Sequence, residues 1–283
     1  MKKMQIRFPV LLLCLLLLMS ATSVFLLLTP ALASEQTAAK ETISKVSQVF
    51  DAAEPIYQEL KEWVAEMVAE DDESDEDITE EDLDGFDIEI QDLRELGVTV
   101  DVLLSELSSL TGNMNTSEGK TVLAAREYLT MLKNMVDDLA ELLQYSVDLY
   151  RAVLLLDNIT DNPNSYQHLA EDLYNATSDT LEALEKIKPP AYMAITHEEL
   201  VRRMEDFREI GSDFYWGAEA NDPLKIYSCV NRLGHIARMF ELYAENLLSD
   251  ADIQERQADK RLNGPITVLH DELERNLSLL LAA

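Results

Sequence analysis

The stretch YLTMLKNMVDDLAELLQYSVDLYRAVLLL, residues 128–156, decides the fold. Tyr128, Leu132, Met135, Leu139, Leu142, Ser146, Leu149, Val153 and Leu156 succeed one another at alternating steps of three and four. A helix turns once per 3.6 residues, so this rhythm lays those side chains along one stripe, whereas a strand would need alternation by two. The spacing predicts a helix of about forty residues, roughly 60 Å long at 1.5 Å per residue.

The same rhythm recurs on both sides of that stretch. Downstream come Tyr166, Leu169, Leu173, Ala176, Thr180, Ala183 and Ile187, then His197, Leu200, Met204, Phe207, Gly211, Phe214 and Ala218, then Ile226, Val230, Leu233, Ala237, Phe240, Ala244 and Leu247. Turn-forming residues separate them: Asp161-Asn162-Pro163-Asn164, Pro189-Pro190 and Asn221-Asp222-Pro223. Four stripes joined by short turns predict an all-α protein with an antiparallel up-down four-helix bundle over residues 117–248. Ser117 is the expected N-cap of its first helix.

Upstream, Ile43, Val46, Phe50, Ala53, Tyr57, Leu60, Val64 and Met67 define an N-terminal amphipathic helix over 34–69, which Pro55 should kink. Residues 88–116 are read as helix and linker: Val98, Val100 and Val102 alternate as in a strand, yet no second strand is at hand to pair with them. Beyond Asn263-Gly264-Pro265, the residues Ile266, Leu269, Leu273, Leu277 and Leu280 predict a short helix within a C-terminal segment, 249–283.

The first thirty-three residues carry a different signal. Lys2, Lys3 and Arg7 precede an apolar run from Pro9 to Leu28, and Ala31-Leu32-Ala33 presents small residues where a signal peptidase cleaves. This pattern predicts an exported protein, at the cell surface or outside the cell. Left uncleaved, the run would serve instead as an N-terminal membrane anchor. Leu13 occupies the place where lipidation of Cys14 would need a small residue. Removal of the segment leaves Cys229 as the one thiol, so no intramolecular disulfide is available and packing alone must hold the fold. Asn115, Asn158, Asn175 and Asn276 each begin an N-x-Ser/Thr sequon, a glycan acceptor only in a eukaryotic host.

Charge narrows the partners. The whole chain carries 54 acidic and 23 basic residues, a formal charge of −31, which becomes −34 once Lys2, Lys3 and Arg7 are removed. So negative a field repels nucleic acid and anionic lipid and favours cations and basic surfaces. Residues 70–87, EDDESDEDITEEDLDGFD, hold twelve carboxylates in eighteen positions and are read as an acidic loop between helices. With Gly85 as the turn glycine of an EF-hand loop, Glu80, Asp82 and Asp84 fall at ligand positions one, three and five. The closing carboxylate is then replaced by Gln91, and Asp87 stands where an apolar residue belongs. What remains is a weak cation site of Glu80, Asp82, Asp84 and Asp87 on a solvated connector.

Other chemistry finds little support. Gly119-Lys120-Thr121 resembles the end of a phosphate-binding loop, but Met114 sits where its first glycine belongs. The residues three before His168, His197, His235 and His270 are Ser165, Ala194, Arg232 and Thr267, so no Glu-x-x-His pair for a di-iron centre exists. There is no Gly-x-Ser-x-Gly elbow, and Cys229 lies on a bundle helix as a small apolar residue. His197, on an apolar stripe, is expected to be a core histidine bonded to a neighbour. No cofactor and no catalysis are expected.

The segment KIKPPAYMAITHEEL, residues 186–200, joins a Pro-Pro break to a helical His seven residues later. In this it resembles secreted and lipoprotein helical-bundle proteins of Gram-positive bacteria, over residues 117–248. The resemblance implies a four-helix fold outside the membrane and brings no activity and no functional residue with it. The lipidated cysteine of such lipoproteins has no counterpart here. The sequence thus leads to an exported, non-catalytic helical protein binding a protein or envelope component, with a homodimer open to it through unused heptad faces. The alternative is an extracytoplasmic sensor or carrier of a small molecule or cation.

Overall fold

A computed structural model describes residues 31–70, 80–110, 116–159 and 165–282. Among these residues the chain is all-helical, without a strand. In order come α1 (Ala31–Glu70), α2 (Glu80–Ser108), α3 (Ser117–Leu154), a 3-10 turn (Leu155–Asn158), α4 (Tyr166–Lys186), α5 (Ala194–Glu219), α6 (Pro223–Arg261), a π turn (Leu262–Ile266) and α7 (Thr267–Ala282). No described helix is long and apolar enough to cross a membrane. Residues 1–30 of the expected export signal, the segment 71–79 and the turn Asp161–Asn164 lie outside the described residues.

The helix ends follow the local chemistry of the sequence. Thr116 caps α3, its Oγ1 accepting from Gly119 N at 3.2 Å. The cap therefore sits one residue before the expected Ser117. Ser165 caps α4 by accepting from His168 N. Between α5 and α6, Asn221 adopts a left-handed backbone, φ 53°, which its short polar side chain tolerates. Asp222 then accepts from Leu224 N and Lys225 N, and Pro223 fills the first helical position, where no N–H is needed. Pro55 lies inside α1. The expected break at Asn263-Gly264-Pro265 is the π turn: Pro265 has no N–H to give, so the ladder widens and α7 follows at once.

The chain divides into two compact units. One holds residues up to Leu60 together with Thr99–Leu132 and Pro265–Ala283; the other holds Lys61–Val98 and Lys133–Gly264. In the first unit, Val46, Ala53, Leu60, Val100, Leu132 and Leu273 are completely buried. Arg126 Nη2 donates at 2.7 Å to Leu107 O, a carbonyl at the end of α2 that also accepts from Leu110 N at 3.1 Å. Val100 is fully buried while Val98 and Val102 are exposed, in keeping with a helix; the strand-like alternation had no partner to use it.

In the second unit, Leu142 and Tyr145 of α3, Leu184 of α4, and Leu200 and Met204 of α5 share one core. A further core joins Leu173 of α4, Phe214 of α5, and Cys229 and Ile236 of α6. Leu83 and Ile90 of α2 pack with Val147 of α3. The stripe of α5 falls where the spacing put it; on α4 Leu173, Ala176 and Thr180 are buried as expected, but Tyr166 is exposed and Ala170, Thr177, Leu181 and Leu184 complete the buried row. On α6 the buried row runs through Cys229 and Ile236, while Val230 is exposed. Either row satisfies the three-four rhythm. Here α5 and α6 approach so closely that a Cβ on Gly217 would stand 3.3 Å from Lys225 Cβ.

A similar approach occurs between α4 and α5: a Cβ on Gly211 would meet Thr177 Oγ1 at 3.3 Å and the Tyr174 backbone at 3.4 Å. Gly234, on α6, has nothing within 4 Å. Gly211→Val is therefore expected to lose about 1–3 kcal/mol through overpacking, and Gly234→Ala to gain roughly 0.5–1 kcal/mol from helix propensity. Urea unfolding of both variants checks the pair, and equal effects of one sign would contradict the packing described.

Candidate functional site

Asp84 and Asp87 meet a different fate from the one their sequence context suggested. Helix α2 begins at Glu80, so Glu80, Asp82, Asp84 and Asp87 lie on a helix and not on the cation loop that the acidic run implied. Asp87 accepts both arms of Arg151, at 2.5 and 3.2 Å, and Asp84 lies 3.6 Å from the same guanidinium. The hydrogen bonds that Arg151 donates to Asp87 hold its guanidinium above its usual pKa. These two carboxylates therefore serve a tie between α2 and α3.

His197 is where the sequence placed it. It is buried at the start of α5, with Nδ1 3.2 Å from Tyr145 Oη on α3 and Nε2 3.2 Å from Leu184 O on α4. A carbonyl only accepts, so Nε2 carries the proton and Nδ1 accepts from the tyrosine hydroxyl. Burial depresses its pKa, outweighing the bond to Leu184, which acts the other way. Cys229 is buried as well, and desolvation pushes its thiol up, away from the nucleophilic thiolate.

Two places in the structure bring polar groups together. The first is an open groove of about 650 Å³ between α5 and α6, lined among others by Arg203, Asp206, Tyr227, Arg232 and His235. Its cations are already engaged. Arg203 donates to Glu199 at 2.7 Å and to Asp206 at 3.2 Å and stands over the Tyr243 ring at 5.6 Å. Arg232 donates to Asp213 at 3.0 Å, and Lys225 is 3.2 Å from the other oxygen of that carboxylate. Tyr243 Oη donates to Glu199; that bond, with Arg202 and Arg203 behind it, holds Glu199 below the usual carboxylate range. Ser228 and His235, a hydroxyl and an imidazole, stand about 10 Å apart along α6 at 1.5 Å per residue, too far for proton transfer between them.

The second lies in the first unit around His270 of α7. Its ring stacks on Tyr57 at 4.5 Å and 17°, with Phe50 at 5.0 Å and Tyr128 at 5.9 Å. Nε2 faces Glu54 Oε2 at 2.5 Å, and Nδ1 faces Asp271 Oδ1 at 3.3 Å. Tyr57 Oη shares a hydrogen bond with Thr267 Oγ1 at 2.8 Å. The Tyr128 hydroxyl is buried without a hydrogen-bond partner among the described residues. Burial, and then the charge of Glu54, push it far above the ordinary phenol value. His270, Asp271 and Glu274 bring their donor atoms within 4.8 Å of one another, a spacing that can hold a metal ion.

No family model, curated protein or solved structure matches this chain. The residues themselves must carry the functional reading. Sequence reasoning tested each histidine for a Glu three places before it and so passed over His270. The run His270-Asp271-x-x-Glu274 was open to reading, since i and i+4 share a helix face. Glu54 was not, being 216 positions away.

The buried imidazole of His197 has a consequence for pH. Its folded pKa is depressed below the reference of 6.5, so below that value the unfolded chain binds a proton that the folded chain refuses. The stability His197 contributes is present above pH 6.5 and is lost as pH falls through the folded pKa. His197→Gln should lose about 1–3 kcal/mol at pH 7.5 by leaving Tyr145 and Leu184 poorly paired. The gap to the wild type should narrow towards pH 5, as urea midpoints at the two pH values will reveal.

Proposed function

We propose that this is an exported, non-catalytic helical protein that works by binding a protein or envelope component, with the α5–α6 face as its contact surface. One observation carries the reading: Leu224 and Tyr227, one turn apart on α6, are 81 % and 69 % exposed, Tyr227 lines the groove, and Leu242 is exposed on the same side further along the helix. Aromatic and aliphatic anchors of this kind dominate binding energy when a partner desolvates them. On a chain of net charge −31, the complementary partner is one with an apolar anchor and a basic rim. Nucleic acid is disfavoured by the same charge.

In this reading α3 to α6 make an antiparallel up-down four-helix bundle, to which α1, α2 and α7 are additions. The cores shared by α3, α4 and α5 and by α4, α5 and α6 support it, as do the short connections between these helices. Export rests on the pattern in residues 1–33, and the likeness to secreted Gram-positive bundle proteins rests on residues 186–200. A second copy of the chain is one partner that could cover the α6 stripe.

A second reading, a sensor or carrier of a small molecule or cation, is favoured by the His270 cluster, where an imidazole fixed by aromatic rings faces two carboxylates. The two readings use different residues.

The partner reading is tested by capture from envelope extract with residues 34–283 and with a Leu224→Ala/Tyr227→Ala variant of unchanged helicity. Retention of one component, weakened about tenfold or more in the variant and weakened again by salt, is the expected result. Equal retention by both chains, or turnover of a substrate with no capture, would count against it.

A further inference from the structure

We infer that His270, Asp271 and Glu274 on α7 bind a first-row divalent transition-metal ion through His270 Nδ1 and one oxygen from each carboxylate, with Glu54 orienting the imidazole from behind. This deepens the second reading above by naming its ligand class, and it rests on that reading alone; the α5–α6 surface plays no part in it.

The geometry is built in three steps. His270 and Glu274 are one helical turn apart, so both project from the same face of α7, and Asp271 brings Oδ1 to 3.3 Å from His270 Nδ1. Ligands about 2.0–2.2 Å from a tetrahedral zinc stand roughly 3.3–3.6 Å from one another. The three donors already lie within 4.8 Å, and the closure left to make falls on two exposed carboxylates that can change rotamer. The imidazole itself need not move. It is 8 % exposed and held by Tyr57 and Phe50.

Glu54 supplies the second step. By accepting from Nε2 at 2.5 Å it fixes the proton there and turns the Nδ1 lone pair towards the two carboxylates. That carboxylate–histidine–metal relay is the usual way a ligating imidazole is oriented and made more basic. Its partners come from separate parts of the chain, α1 and α7 of the first unit.

The hydroxyl of Tyr128, 1 % exposed, has no hydrogen-bond partner among the described residues, and its ring lies 5.9 Å from that of His270. One imidazole nitrogen with two carboxylates suits zinc, cobalt or their first-row neighbours. Calcium, which asks for six to eight oxygens, is poorly served. Three protein ligands leave a coordination position for water or for a donor from another molecule, as in an ion carrier or a metal-dependent contact.

The experiment is a titration of the whole, chelator-treated chain with Co²⁺, followed by displacement with Zn²⁺, in millimolar Ca²⁺ and Mg²⁺ that occupy the scattered carboxylates. One Co²⁺ per chain, with visible ligand-field bands that Zn²⁺ abolishes and a raised thermal midpoint, is the expected result. Asp271→Asn/Glu274→Gln should weaken binding at least tenfold, with helicity and the metal-free thermal midpoint of the variant measured alongside. Glu54→Gln should weaken it about 10–100-fold with the bands retained. If Co²⁺ binds the wild type and the Asp271/Glu274 variant equally, this site is rejected while cation binding elsewhere on the chain survives. If the wild type shows no stoichiometric saturation, both the site and the cation form of the second reading fall.

Discussion

Helices satisfy their own backbones, so nothing in a helix demands a neighbour except the apolar stripe along its side. In this chain the stripes carry the whole burden of tertiary order. The described residues contain one cysteine, buried and free, and no disulfide can tie one helix to another. Leu60, Leu132 and Leu273 in the first unit and Leu184 in the second are each sealed completely from solvent. Fully burying such side chains contributes roughly 1.5–3 kcal/mol apiece. Close approach at Gly211 and Gly217 is part of the same economy of contact: where a side chain is missing, backbones draw near enough to exclude water from the leucines and aromatics around them.

Several of the polar groups drawn into these cores are held by named partners. Thr177 returns its hydroxyl to Leu173 O at 2.7 Å, within its own helix. His197 reaches further, linking α3 through Tyr145 and the end of α4 through Leu184, just where Pro189 and Pro190 bend the chain towards α5. His270 presents the opposite case. It too is buried, but both of its nitrogens face carboxylates, and its ring is clasped by aromatic side chains. An imidazole between a hydroxyl and a carbonyl is a structural joint. An imidazole between two carboxylates on a helix face that also carries Glu274 has donor chemistry to spare.

Acidity shapes the surface on which these features sit. The few arginines are spent on carboxylates close at hand: Arg151 on Asp87, Arg203 on Glu199 and Asp206, Arg261 on Asp138. Such exposed pairs contribute about 0–1 kcal/mol each. Their larger effect is to leave most carboxylates facing solvent, which favours basic or cationic partners. Against that background the apolar stripe of α6 stands out, since water gains nothing from Leu224 and Tyr227 and a partner would.

The helical class, the stripes of α1 and α5, the turn at Asn221-Asp222-Pro223 and the core place of His197 were all legible in the sequence, because each depends on residues within a few positions of one another. Three features were not. The α2 helix takes in Asp84 and Asp87, and beside them Leu83 and Ile90 pack with Val147 of α3 while Arg151 pairs with Asp87, long-range partners that no local rule anticipates. The buried row of α6 passes through Cys229 and not Val230, since both satisfy the helical rhythm and only the packing of α5 against α6 chooses. The His270 centre needed Glu54 of α1, Tyr128 of α3 and Glu274 of α7 to be drawn together. Periodicity determines which side of a helix is apolar; which neighbour covers it, and which polar groups then meet, is a property of long-range packing that three-dimensional structure alone decides.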